Sequence, residues 1–162
     1  MDNSITIRKI LPADNPNLAS MIREVFEEHD APRIGTVYSD PTTDNLYQLF
    51  QQQRSILWVL SVNKQPLGCC GIYPTPGLES DCAELVKFYI SSKARGQGFG
   101  QLLMEKTIES AREFGFKKIY LESMPQFAKA VSIYKKQGFT YLSHSLGNSG
   151  HSGCTIWMIK SL

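Results

Sequence analysis

The sequence predicts one α/β domain, a mixed sheet flanked by helices, and three observations carry that prediction. Short apolar runs of strand length recur along the whole chain. Stretches with apolar residues at helical spacing lie between them. No internal repeat, low-complexity segment or linker divides the 162 residues, which form a chain of the size of one domain.

The elements follow in order. Residues 5–10 alternate apolar and polar side chains, the pattern of a half-buried strand, and Pro12 and Pro16 break it. Leu18, Met21, Ile22, Val25 and Phe26 then recur as one face of a helix over 17–29. Residues 30–41, with two prolines and a glycine, read as a loop. A second helix is expected from Thr42 or Thr43 to Gln53, with Leu46, Leu49 and Phe50 on one side. The apolar run 56–62, a turn at 63–65 and a returning strand at 67–73 make a hairpin. A loop at 74–81 leads to a strand at 84–90.

A helix over 98–114 carries Leu103, Thr107, Ala111 and Phe114 on one stripe, and Gly115 stops it. A strand at 118–123 ends before Pro125. A helix over 128–137 is capped by Gly138, and strands at 139–142 and 155–160 close the chain around a polar, glycine-rich loop at 147–153.

Composition narrows the function. With 42% hydrophobic and 20% charged residues the chain reads as globular, not disordered. Seventeen basic and fifteen acidic side chains leave a net charge of +2, which gives no support to a nucleic-acid partner. No apolar run approaches the roughly 20 residues that cross a bilayer, and residues 1–4 do not open a signal peptide. A cytoplasmic protein without a membrane partner is expected. Cys69, Cys70, Cys82 and Cys154 show neither CxxC nor Cys/His zinc spacing, so reduced thiols and no metal are expected.

The chemistry centres on Arg95-Gly96-Gln97-Gly98-Phe99-Gly100, between a predicted strand and a predicted helix. A helix N-terminus exposes unpaired N–H groups and a partial positive charge, glycines admit an anion close to the backbone, and Arg95 adds a fixed cation. A P-loop would need Gly-Lys-Ser/Thr, which is absent. A dinucleotide fingerprint needs a third glycine where Gln101 stands. A plain glycine turn capping a helix is the remaining alternative from these residues alone.

The Arg-x-x-Gly-x-Gly pattern resembles the pyrophosphate loop of the GCN5-related N-acetyltransferase (GNAT) superfamily. Downstream, Ala130-Val-Ser-Ile-Tyr-Lys-Lys-Gln-Gly-Phe139 resembles that family's A-x-x-[L/I]-Y-x-x-x-G-F signature. The order of elements agrees from the first strand to the last. The resemblance implies the acyl-CoA N-acyltransferase (GNAT) fold, with a mainly antiparallel sheet. It also implies acetyl-CoA as cosubstrate and an amine of a small molecule, peptide or protein as acceptor. In this family dimers are frequent, so a homodimer is among the assemblies implied. Phe88, Tyr89 and Ile90 match the strand whose backbone meets the pantetheine arm. Residues 95–100 with Gln101 match the phosphate cradle. Many members carry an Asn seven residues before the signature Tyr; here that position is Phe127.

Acetyl transfer needs an amine freed of its proton, a donor for the oxyanion and a proton for the departing sulfur. Tyr134 matches the family's general acid, and a phenol of pKa about 10 is protonated at neutral pH. Read by helix periodicity alone, it is a core tyrosine. Two carboxylates, Glu84 and Glu122, are candidates for the base, and either could be a solvated strand-edge charge; loss of the amine proton to water is the third alternative. His151, in the last loop, is a candidate for binding the acceptor or shuttling a proton. With no Ser-His or Cys-His nucleophile motif, direct transfer is expected. A non-catalytic acyl-CoA sensor is the rival reading.

Overall fold

The computed structural model describes residues 4–162. The first strand, β1 (Ile5–Lys9), leads to α1 (Asn15–Glu28). After a long loop and a single helical turn, α2 (Leu46–Leu49), come β2 (Ile56–Val62), β3 (Gln65–Tyr73) and β4 (Cys82–Ile90). Then follow α3 (Phe99–Glu113), β5 (Lys118–Ser123), α4 (Ala128–Lys136), β6 (Thr140–Leu142) and β7 (Ile156–Ser161). The strands form one sheet in the order β1-β2-β3-β4-β5-β7-β6, and among the described residues only β4 and β5 pair in parallel.

Helices cover both faces of this sheet. Leu103, Met104, Ile108 and Ala111 of α3 pack with Cys70, Ile72, Leu85 and Ile119 on one side. Leu18, Ile22, Val25 and Phe26 of α1 pack with Leu57, Val59 and Cys69 on the other. The central strands therefore read as continuous apolar runs, because neither face meets water. Neighbouring Cys69 and Cys70 point to opposite cores, and all four cysteines are free thiols. A Schellman motif ends α4: the N–H groups of Gly138 and Phe139 donate to the carbonyls of Lys135 and Tyr134.

The expected helix from Thr42 or Thr43 to Gln53 does not form as one element. Pro41–Asp44 is a 3-10 turn capped by Asp40, and α2 supplies one turn after it. Asn15 explains the break. Its side chain donates to the Thr43 carbonyl at 3.1 Å and accepts from the Tyr47 N–H at 3.1 Å, so it holds the backbone on either side of a non-helical Asn45. Leu46 and Phe50 still reach the core. The other boundaries agree to within one residue, except the starts of α1, β3 and β4, which each lie two residues earlier. Among the described residues no helix is long and apolar enough to cross a membrane.

Candidate active site

The site begins with a defect in β4. Gly71 of β3 pairs with Val86 and Cys69 pairs with Tyr89, so Cys70 alone stands opposite Lys87 and Phe88. This bulge puts Lys87 at φ 57°. On the other edge, β4 and β5 pair only from Cys82 with Lys118 to Leu85 with Leu121. Beyond that point β5 continues beside β7 while β4 bends away. The two parallel strands open into a cavity of about 510 Å³, walled by β4 and by Glu122, Ser123 and Met124.

One end of the cavity is the glycine-rich loop. Gly96 and Gly98 sit at φ 76° and 81°, and nothing lies within 4 Å of where a Cβ would project. Gly98 caps α3. The cradle is thus open, with free N–H groups at a helix start. Arg95 is held by the Ile90 carbonyl at 3.0 Å and by Glu28 at 2.7 Å, while its buried Nη2 has no partner among the described residues. An orphaned guanidinium nitrogen beside an open anion cradle fits a phosphate-bearing coenzyme. Phe99 is buried and pins the loop to the core. Gly100 and Gln101 line the cavity, whereas the Gln97 side chain is exposed and stands apart from it.

The wall strand carries Phe88, Tyr89 and Ile90 along the cavity. Tyr134 faces them from α4. Its ring packs against Phe88 at 5.8 Å and Phe139 at 5.9 Å, and its hydroxyl has no hydrogen-bond partner among the described residues. Burial, with the neighbouring thiols of Cys70 and Cys154, raises its pKa, so the phenol stays protonated. Phe127, where many family members carry Asn, joins Phe26 and Tyr89 in an aromatic cluster.

The two carboxylates have different surroundings. Glu84 is 3% exposed, and one of its oxygens accepts from the Thr75 hydroxyl at 2.8 Å; the other has no partner among the described residues. Burial and the nearby Glu122 charge lift its pKa to about 7, against the opposing pull of Thr75 and Lys87. In Glu122 both oxygens are taken: one accepts from Tyr120 at 2.6 Å and the other from the Ser149 hydroxyl. Tyr120 in turn accepts from the Leu146 N–H at 3.0 Å, and Ser149 from the His151 N–H at 3.1 Å. Glu122 is the anchor of the last loop.

His151 is delivered by that loop to the opposite rim, where its Nε2 meets Asp40 at 2.7 Å. Burial opposes ionisation of Asp40, but hydrogen bonds from His151 and Thr42 outweigh it and hold the pKa below the usual range. Cys154 is beside them, its pKa pushed up to about 12 by burial and by Glu122 and Glu84. Asp40, Thr75, Lys87 and Ser149 are site residues that the sequence did not single out. Only Lys87 carried a local signal, as a charge inside an otherwise apolar strand.

The sequence profile of the acetyltransferase (GNAT) family matches residues 21–139. The chain belongs to that family. An uncharacterized N-acetyltransferase of Escherichia coli K12, YjgM, is 36% identical over 98% of this chain and 96% of its own. Human N-acetyltransferase 8 is 24% identical over 88% of this chain and 59% of its own. A GNAT-family acetyltransferase structure from Staphylococcus aureus Mu50 superposes with a TM-score of 0.84 at 18% identity, covering 98% of this chain and 99% of that one. The PaiA N-acetyltransferase of Thermoplasma acidophilum, solved with coenzyme A, superposes at 0.77 with 16% identity over 98% and 99%. This GNAT protein is an acetyl-CoA-dependent N-acetyltransferase, which moves an acetyl group to an amine.

Proposed function

We propose that the GNAT chain transfers acetyl directly to a primary amine, with Glu84 as general base and Tyr134 as general acid. The observation that carries this reading is the contrast between the carboxylates. Glu84 has a free oxygen, a cavity position and a pKa of about 7, where a base works best near neutral pH. Glu122 has no free oxygen to offer, and its charge instead raises Glu84.

Acetyl-CoA supplies a thioester-activated acetyl group; the remaining roles fall to the chain. Residues 95–101 hold its phosphates. The edge of β4 beyond Leu85 has lost its β5 partner, so a backbone N–H there is the donor for the developing oxyanion. Glu84 takes the proton of the incoming ammonium. Tyr134 holds the proton that the sulfur requires. The same burial that pushes Cys154 up to about 12 penalises any thiolate left in this cavity, which makes a nearby O–H donor necessary. The four free thiols favour a reducing compartment, the cytoplasm, as the place of work.

Free-thiol release from acetyl-CoA over a panel of primary amines tests the assignment. Glu84→Gln should lower kcat/KM by about 100-fold or more at pH 7.5 with coenzyme A affinity retained. A variant as fast as the parent would remove Glu84 from the mechanism.

A further inference from the structure

The proton relay leaves one charge without a task. Lys87 is 6% exposed and lines the cavity; its carbonyl accepts from the Cys69 thiol, but its ammonium makes no hydrogen bond or ion pair among the described residues. It also sits at φ 57°, a strained backbone for a residue with a Cβ. A buried, unpaired cation on strained backbone destabilises the fold twice over, so a stability role does not explain it.

The groups facing Lys87 come from several elements: Asp40 from the 3-10 cap, Glu84 from its own strand, Cys69 from β3 and Cys154 from the last loop. Burial lowers its pKa, and the charges of Asp40 and Glu84 only partly compensate. Neither carboxylate forms an ion pair with Lys87 among the described residues. Asp40 accepts from His151 and Thr42, and Glu84 from Thr75. Glu122, another acid on the cavity lining, accepts from Tyr120 and Ser149. What Lys87 lacks is an anion that arrives from outside.

We propose that the acceptor is a free amino acid, its carboxylate seated on Lys87 and its amine turned toward Glu84. The two residues are three positions apart on one strand, and Lys87 is itself part of the bulge. An ammonium and a carboxylate on one small molecule match that base-and-cation pair, whereas a plain amine leaves Lys87 unpaired. The carboxylate supplies the counter-charge that burial withholds, and it also fixes the amine's orientation. The reaction stays that of the family. One N–C bond forms and one C–S bond breaks; the ammonium gives up two protons, of which one ends on the sulfur and the other in solvent. The product is an N-acetylated amino acid.

The proposal rests on Glu84 as base, and the test separates the two. Acetyl transfer to each of the twenty amino acids is compared with transfer to its amide and to the amine lacking the carboxylate, such as L-leucine, L-leucinamide and 3-methylbutylamine. The best amino acid should exceed its amide by about 30-fold or more in kcat/KM. Lys87→Met should abolish that preference mainly by raising KM for the acid; because losing the Lys87 charge also lifts the Glu84 carboxyl, acid and amide are compared as a ratio above pH 8, and Lys87→Arg should restore part of the preference. Calorimetric titration of the same amino acid into the coenzyme A complex reads the subsite without turnover. Binding lost in Lys87→Met supports the proposal even where no acetyl transfer occurs, a result that would count against Glu84 and Tyr134 instead. Equal use of acids and amides, an acid-to-amide ratio in a folded Lys87→Met that matches the parent's, or no binding by any amino acid would overturn it.

Discussion

Replacing Glu84 by Gln should make the protein slower and more stable at once. The carboxyl is displaced from 4.5 to about 7. That difference is 2.5 units, and at 1.36 kcal/mol per unit it amounts to about 3 kcal/mol against the ionised form. Between pH 4.5 and 7 the folded chain binds more protons than the unfolded one at this site, so stability falls as pH rises through that window. The penalty is absent below pH 4.5 and complete above pH 7. Glutamine carries no charge and can keep the Thr75 hydrogen bond, although its amide N–H groups need partners of their own. A gain of about 1–3 kcal/mol at pH 8 is expected, or roughly 2–10 °C in Tm for a chain of this size. Urea melts of both proteins at pH 4.5, 6, 7 and 8 read the effect, and parallel thiol-release assays read the rate. The difference in stability should vanish at pH 4.5 and grow to its plateau above pH 7, while wild-type kcat/KM declines below a midpoint near 7. A Glu84→Gln protein that is less stable at pH 8, or that keeps the acidic limb of the rate profile, refutes the reasoning.

Three further outcomes follow from the same geometry. Tyr134→Phe keeps the ring packed between Phe88 and Phe139 and removes only the hydroxyl; kcat should drop about 100-fold with Tm nearly unchanged, and a matched loss in both would mark a packing role. Glu122→Gln removes the charge that helps raise Glu84, so the acidic limb of kcat/KM should move to lower pH; a limb that stays in place argues against electrostatic coupling of the pair. Gly98→Val puts a branched side chain at φ 81° into the open cradle, which should weaken coenzyme A binding at least tenfold by calorimetry, by strain and by obstruction together; unaltered affinity would move the phosphates elsewhere.

Most of the fold was legible because its signals are local. The apolar run of β2, the period of α1 and the Gly138 cap each declare themselves within a few residues. The broken helix near 42–53 was not legible, since Asn15 breaks it from some thirty residues away. The open glycine-rich loop and the place of Tyr134 on the cavity wall follow from motif residues. The choice between Glu84 and Glu122 could not, as it turns on Thr75, Tyr120 and Ser149 filling particular oxygens. Asp40 escaped for the same reason: its meaning depends on His151, 111 positions later.

The single extra residue in β4 acts like a shift of reading frame for side chains. Before it, Leu85 looks toward α3 and Val86 toward α1; after it, Phe88 looks toward α3 and Tyr89 toward α1. Even and odd positions exchange faces part-way along the strand. One strand can therefore serve two ligands: in the proposed reaction its first half presents Glu84 to the amine, and its second half presents Phe88 and Ile90 to the coenzyme. Deleting one residue at the bulge would restore a regular ladder and leave each half speaking to the wrong partner.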